Sequence, residues 1–224
     1  MTTIHRFGFL TEFLRAPDIV AAVTPSSAAL AAAVTVPVPL DGAPVVLELG
    51  PGTGAFTAAI QRRLSGRGQH LAIEINERFA AATATGFPAV HVIVGDASNL
   101  REVLTGNGFG HADIIVSGLP WAAFAPERQD DLLAAIASGL AADGVFSTFA
   151  YSSTRWMPSA RRLRRRLADH FEEVLACRTV WANLPPAFVY HCRRPRLHSR
   201  GGHSDFATRV KSTVAQTHAT AGAR

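Results

Sequence analysis

The chain has 224 residues, of which 48% are hydrophobic and 17% charged, with a formal net charge of +5. That size and apolar content suit one packed α/β domain and exclude a disordered or collagen-like chain. The charge is uneven: residues 1–154 carry 8 bases and 13 acids, whereas residues 155–200 carry 11 and 3, so the basic character sits in the C-terminal third.

In chain order, Phe7, Leu10, Phe13 and Leu14 recur at helical spacing ahead of Pro17. Pro25-Ser26-Ser27 then opens a second, alanine- and leucine-rich helix. The first helix would pack on the domain, lie on a membrane, or cover a pocket. The longest apolar run, residues 28–40, is broken by Thr35, Pro37 and Pro39 and is shorter than the roughly 20 residues a spanning helix needs. With no signal-peptide pattern at the start, a cytoplasmic address is expected. There Cys177 and Cys192 would both be thiols.

Residues 45–49 read as a strand, Gly-Pro-Gly as a turn, and residues 53–64 as a helix with Phe56, Ile60 and Leu64 at helical spacing. Strands are expected at 70–75, 90–94, 113–116 and 145–151. The clearest helix spans 127–140, with Leu132, Leu133, Ile136 and Leu140 on one face. Five strands alternating with helices predict an α/β, doubly wound parallel sheet. A basic helix over 159–170 follows. Strand-like runs at 171–181 and 188–194, joined through Asn183-Leu184-Pro185-Pro186, predict a terminal antiparallel hairpin and seven strands in all. Residues 1–40 are expected as a helical extension, 41–194 as the core, and 195–224 as a basic, disordered tail.

The sharpest chemical signal is Glu48-Leu49-Gly50-Pro51-Gly52-Thr53-Gly54 at the first strand–helix junction. Glycines there let the backbone turn tightly against a ligand, and free N–H groups at the helix start favour an anion. Glu74 ends the second strand, where a carboxylate can accept both ribose hydroxyls of an adenosine. Asp96, in Gly95-Asp96-Ala97 after the third strand, can accept a hydrogen bond from an adenine amine. Each acid alone would serve equally as a helix cap; their order along successive strand ends points to one ligand. The nine histidines show no paired ligand spacing, so no metal is expected. His91 and Cys177, read as lying inside strands, are assigned to packing.

With these motifs the chain resembles the Rossmann-like class I S-adenosylmethionine-dependent methyltransferases. It is most similar to the bacterial phospholipid N-methyltransferases, which methylate phosphatidylethanolamine. That closer likeness rests on Phe13-Leu14-Arg15, Pro25-Ser26-Ser27, residues 48–56, Glu74-Ile75-Asn76, Gly95-Asp96-Ala97, Ser117-Gly118-Leu119-Pro120, Phe149-Ala150-Tyr151 and residues 181–186. The resemblance implies S-adenosylmethionine as cofactor, held by Glu48, Gly50, Gly52, Gly54, Glu74, Ile75, Asp96, Ala97 and Ser117. It implies an acceptor site of Leu119, Pro120, Trp121 and Asn183, with Tyr151 as the catalytic residue. Tyr151 would hydrogen-bond the amine or take its proton through water, or be a core aromatic. Trp121 would wall the pocket and bind a methylated cation, or belong to the core. Asn183 would border the pocket or merely set a turn.

The expected acceptor is a phospholipid amine, with peripheral membrane contact. A small metabolite or peptide amine is the alternative. The glycine turn and Gly-Asp-Ala also resemble the rRNA adenine dimethyltransferases. Against nucleic acid, Gly118 stands where amino methyltransferases place an amide, and only 30 residues follow Arg194.

Overall fold

The computed structural model describes residues 26–152 and 158–196. The first expected helix, Arg155 and residues 197–224 lie outside the described residues. Ser27 caps α1 (Ala28–Val34), its hydroxyl accepting from Leu30 N at 3.1 Å. There follow β1 (Val45–Leu49), α2 (Ala55–Leu64), β2 (Gln69–Glu74), α3 (Glu77–Gly86), β3 (His91–Val94), α4 (Leu100–Gly106) and β4 (Ala112–Ser117). The remainder is α5 (Pro126–Gly139), β5 (Leu140–Tyr151), α6 (Pro158–His170), β6 (Phe171–Ala176) and β7 (Ala187–Pro195).

The seven strands form one sheet in the order β3-β2-β1-β4-β5-β7-β6. Strands β1 to β5 are parallel, and β7 runs antiparallel to both β5 and β6. Central strands such as β1 (VVLEL) are buried on both faces, which is why they read as nearly continuous apolar runs. On one face Leu47, Leu49, Ile115 and Phe146 pack under α4, α5 and α6 through Leu100, Leu132, Ile136, Leu163 and Leu167. On the other, Val46, Ile114 and Val189 pack under α1 and α2 through Leu30, Val34, Phe56 and Ile60. Complete burial of Leu30 and Val34 contributes roughly 1.5–3 kcal/mol each, so α1 is built into the core.

The seven-stranded α/β sheet with its terminal antiparallel hairpin is the architecture read from the sequence, with three differences. β5 begins at Leu140, five residues earlier than expected, because Leu140 pairs with Ala112 ahead of a register shift. β6 stops at Ala176 rather than running to 181; beyond it the chain keeps only the Cys177 N to Val189 O bond and a Val180–Ala187 bridge. His91 and Cys177 are exposed, not packed. Each lies at the end of an edge strand, where the sheet covers one side of the backbone at most.

Candidate functional site

The strand order reverses between β1 and β4: the chain leaves β1 toward β2 and β3 and then returns to the other side at β4. In open α/β sheets a crevice opens at the carboxyl ends of such a pair and serves as the binding site. The turn after β1 lies at this point. Gly50 N donates to Ile73 O at 2.9 Å and Gly118 N to Leu49 O at 2.8 Å, so backbone pairing extends past the strand ends and fixes the turn's base. Gly52 has φ 53°, with open space where a Cβ would stand. Gly54 caps α2 with no side-chain hydrogen bond, leaving the first N–H groups of that helix without a side-chain cap.

Of the three carboxylates expected at the strand ends, Glu74 meets this turn, and each of the three is held differently. Glu74 is 5% exposed. Its Oε2 accepts from Gly52 N at 3.1 Å and its Oε1 from Asn76 N at 2.9 Å. Burial pushes its pKa up, and the N–H groups of Asn76 and Gly52 offset that only in part. Asp96 caps the short turn at residues 97–99, its Oδ1 accepting from Ser98 N at 2.8 Å and Ser98 Oγ at 2.7 Å. Arg128, from the first turn of α5, donates to the same oxygen. Burial raises this carboxyl, yet Arg128 and Ser98 outweigh it and hold the pKa below the usual carboxylate range. All three donors fall on Oδ1, which leaves Oδ2 for a ligand.

Glu48 is fully buried against α2, its Oε2 accepting from Thr57 Oγ1 at 2.8 Å. His70 Nε2 lies 3.2 Å from the same oxygen, and Gln61 Nε2 lies 2.9 Å from the ring's Nδ1. Glu48 Oε1 is buried without a partner. Ile75 is half-buried just after β2, and Ala97 is buried behind Asp96. Arg128, Thr57 and His70 escaped sequence reasoning. Only the spacing of Thr57, nine residues past Glu48 and one helical turn into α2, was open to view.

At the end of β4, a Cβ on Gly118 would stand 2.6 Å from Gly50 O. The backbones cross too closely for any side chain, which accounts for glycine at the position where an amide was expected. Leu119 lies over Gly50, with its Cδ2 3.0 Å from where a Gly50 Cβ would stand. Pro120 leads into the short helical turn at residues 121–123.

Two of the expected acceptor residues are engaged within the protein. Trp121 is 2% exposed, edge-on to Phe124 and Phe146, with Nε1 donating to Ser117 Oγ at 3.2 Å. It is a core residue rather than a pocket wall, and Ser117 Oγ is thereby engaged as well. Asn183 is 5% exposed and spends its amide on the protein: Oδ1 accepts from Ser27 N at 2.8 Å and Nδ2 donates to Pro185 O at 2.7 Å. It clamps α1 to the β6–β7 connection instead of reaching an acceptor. Tyr151, half-buried at the end of β5, packs edge-on to Phe149 with ring centroids 5.5 Å apart. Burial raises the pKa of its phenol.

The sequence matches a family model described as "Methyltransferase domain" over residues 46–144. It is 33% identical over 190 residues to an ornithine lipid N-methyltransferase of Singulisphaera acidiphila, covering 84% of this chain and 95% of that protein. Among solved structures, a fibrillarin of Aeropyrum pernix with natively bound S-adenosyl-L-methionine superposes with a TM-score of 0.56 at 17% identity, over 72% of this chain and 73% of that one. A spermidine synthase from Thermotoga maritima gives 0.56 at 16% identity, covering 75% of this chain. The chain spans 58% of the synthase's length. Likeness at such identities shows the fold alone. The open space at Gly52 and the Glu74 carboxylate beside it are chemically compatible with the methionine and ribose of S-adenosylmethionine. Site, sheet order and relatives agree: the chain belongs to the class I S-adenosylmethionine-dependent methyltransferases and is a relative of a lipid N-methyltransferase.

Proposed function

We propose that this enzyme methylates the amine of a membrane lipid headgroup, phosphatidylethanolamine being the expected acceptor, while in contact with the membrane surface. The observation that carries the acceptor is the 33% identity, over nearly the whole of both chains, to a lipid N-methyltransferase. In this reading the donor-binding core is residues 41–194 together with α1, which packs against its sheet.

The donor seat draws on residues already described. Gly50, Gly52 and Gly54 take the methionine part, with Glu48 supplying negative charge for its ammonium. Glu74 accepts from the ribose hydroxyls, and Asp96 turns Oδ2 to the adenine amine. Ile75 and Ala97 flank the adenine, and Ser117 forms the floor. When bound, S-adenosylmethionine supplies a methyl group on a sulfonium, which an amine nitrogen displaces in line. The protein's part is alignment, for which effective molarities on the order of 10⁵ M or more are known. Tyr151, with its phenol pKa raised by burial, stays protonated at neutral pH. It accepts an amine N–H and so points the lone pair at the strand ends, and the proton released on transfer goes to water. Leu119 and Pro120 bound the acceptor's path.

The test is methyl transfer from labelled donor to a panel of phosphatidylethanolamine vesicles, ornithine-lipid vesicles, RNA and small amines. Label in a lipid amine supports the reading. Label only in a small amine or in RNA overturns it.

A further inference from the structure

The β6–β7 connection, residues 177–186, carries two large apolar side chains into solvent: Trp181 is 78% exposed and Leu184 is 74% exposed. Between them Asn183 is anchored to Ser27 N and Pro185 O, and Pro186 O accepts from Ser152 N at 2.7 Å. The turn is thus braced against α1 on one side and the end of β5 on the other. Its backbone is fixed, and that backbone holds the indole and the isobutyl group outward. Leu175, just before it on β6, is also exposed.

The turn rises from the carboxyl edge of the sheet, where the glycine turn and Glu74 also lie. Ala187, its first residue on return, pairs in register with Tyr151. The sequence around the turn carries one charge sign. No acidic residue occurs from Val174 to Arg196, and Arg178 is exposed within the turn. α6 starts from the same edge and exposes Arg161, Arg164 and Arg165, none of which has an acidic partner among the described residues.

From this juxtaposition we propose that residues 177–186 form a membrane-docking turn: Trp181 and Leu184 enter the headgroup–acyl boundary of an anionic bilayer while Arg178 and the α6 arginines meet lipid phosphates. The proposal rests on the lipid-amine reading above and names the element that brings the enzyme to its acceptor. Tryptophan favours that boundary because its ring is apolar and its N–H is polar, and arginine beside it adds attraction to anionic lipid. A protein partner fits less well. An aromatic side chain buries roughly 150–250 Å², so two side chains fall well short of the roughly 800 Å² per partner of a stable interface.

The experiment uses the full chain, vesicles of phosphatidylethanolamine with and without phosphatidylglycerol, and a Trp181→Ser/Leu184→Ser double variant. We expect the double variant to lose about tenfold or more in vesicle partitioning. Its donor affinity and its turnover of a short-chain, water-soluble phosphatidylethanolamine should stay at the wild-type level. Wild-type tryptophan fluorescence should be quenched by brominated acyl chains, and Trp181→Phe should remove much of that quenching. Partitioning should rise with phosphatidylglycerol and fall with salt.

If the wild type binds and methylates vesicles and the double variant does so equally, docking by this turn is overturned while the acceptor reading stands. If the wild type methylates no lipid amine in either form, the acceptor reading itself is overturned. Shielding of Trp181 from acrylamide without vesicles would show the turn covered by another part of the chain or a second copy, and would also overturn the proposal.

Discussion

Glu74 carries opposite obligations in the empty and the occupied site. Without a donor, its buried carboxylate accepts from backbone N–H groups that include those of Gly52 and Asn76, and its raised pKa means it favours the folded state most at low pH. That contribution is lost as pH rises through the folded-state value. In the proposed donor seat, the ionised form would be the one that accepts both ribose hydroxyls. Donor affinity should therefore be complete above the raised pKa and fall as pH drops through it, starting above the usual carboxylate range. Glu74→Ala should cost about 1.5–3 kcal/mol of donor binding, measured by calorimetry on a protein whose folding is checked separately, and should flatten that pH dependence. Gly118 makes a second prediction at this scale. Gly118→Asn restores the amide of amino methyltransferases on paper, but its Cβ meets Gly50 O. We expect a loss of roughly 1–3 kcal/mol in stability and weaker donor binding, with no gain of activity on RNA. Thermal denaturation and calorimetry read both. The acids Glu74 and Asp96 could be found in the sequence because each ends a strand, and strand ends in an α/β pattern share one edge. Arg128 could not, since its contact with Asp96 spans 32 residues and depends on how α5 lies against the turn after β3.

Among the elements, α1 shows how a side chain read as functional can be structural. Asn183 sits in a short motif of the lipid N-methyltransferases, which made an acceptor contact the natural expectation. Its partner Ser27 is 156 residues away, and no local pattern could reveal that. Asn183→Ala leaves the Ser27 N–H and the Pro185 carbonyl without partners. A stability loss of roughly 1–3 kcal/mol is expected, by chemical denaturation, with donor affinity unchanged because the proposed donor seat lies at the ends of β1 to β4. Trp121 teaches the same lesson from the other side. An aromatic after the fourth strand is read as a pocket wall when only its sequence neighbours are known, but the segment ahead of α5 and β5 bring Phe124 and Phe146 edge-on against it and close it off. The strands themselves were legible because apolar runs punctuated by glycine leave little choice of state. The end of β6 was not, because residues 177–180 keep a strand-like composition after the ladder has thinned to isolated bonds.

Over the whole molecule, the sheet separates two tasks along one edge. In the proposed function donor chemistry sits at β1 to β4, where the net charge of the chain is negative, and the basic residues gather beyond β5. No helix among the described residues is long and apolar enough to cross a membrane, and the attachment proposed above is by the β6–β7 turn. The two thiols then differ in a useful way. Cys192 lies in the core, where burial pushes its pKa far up, while Cys177 is exposed four residues before Trp181. A maleimide would label the folded chain at Cys177 alone, faster in alkaline buffer because burial also raises that thiol's pKa. A single dye there would sit at the foot of the exposed turn, reporting approach to a bilayer by its own spectrum while leaving the donor seat untouched.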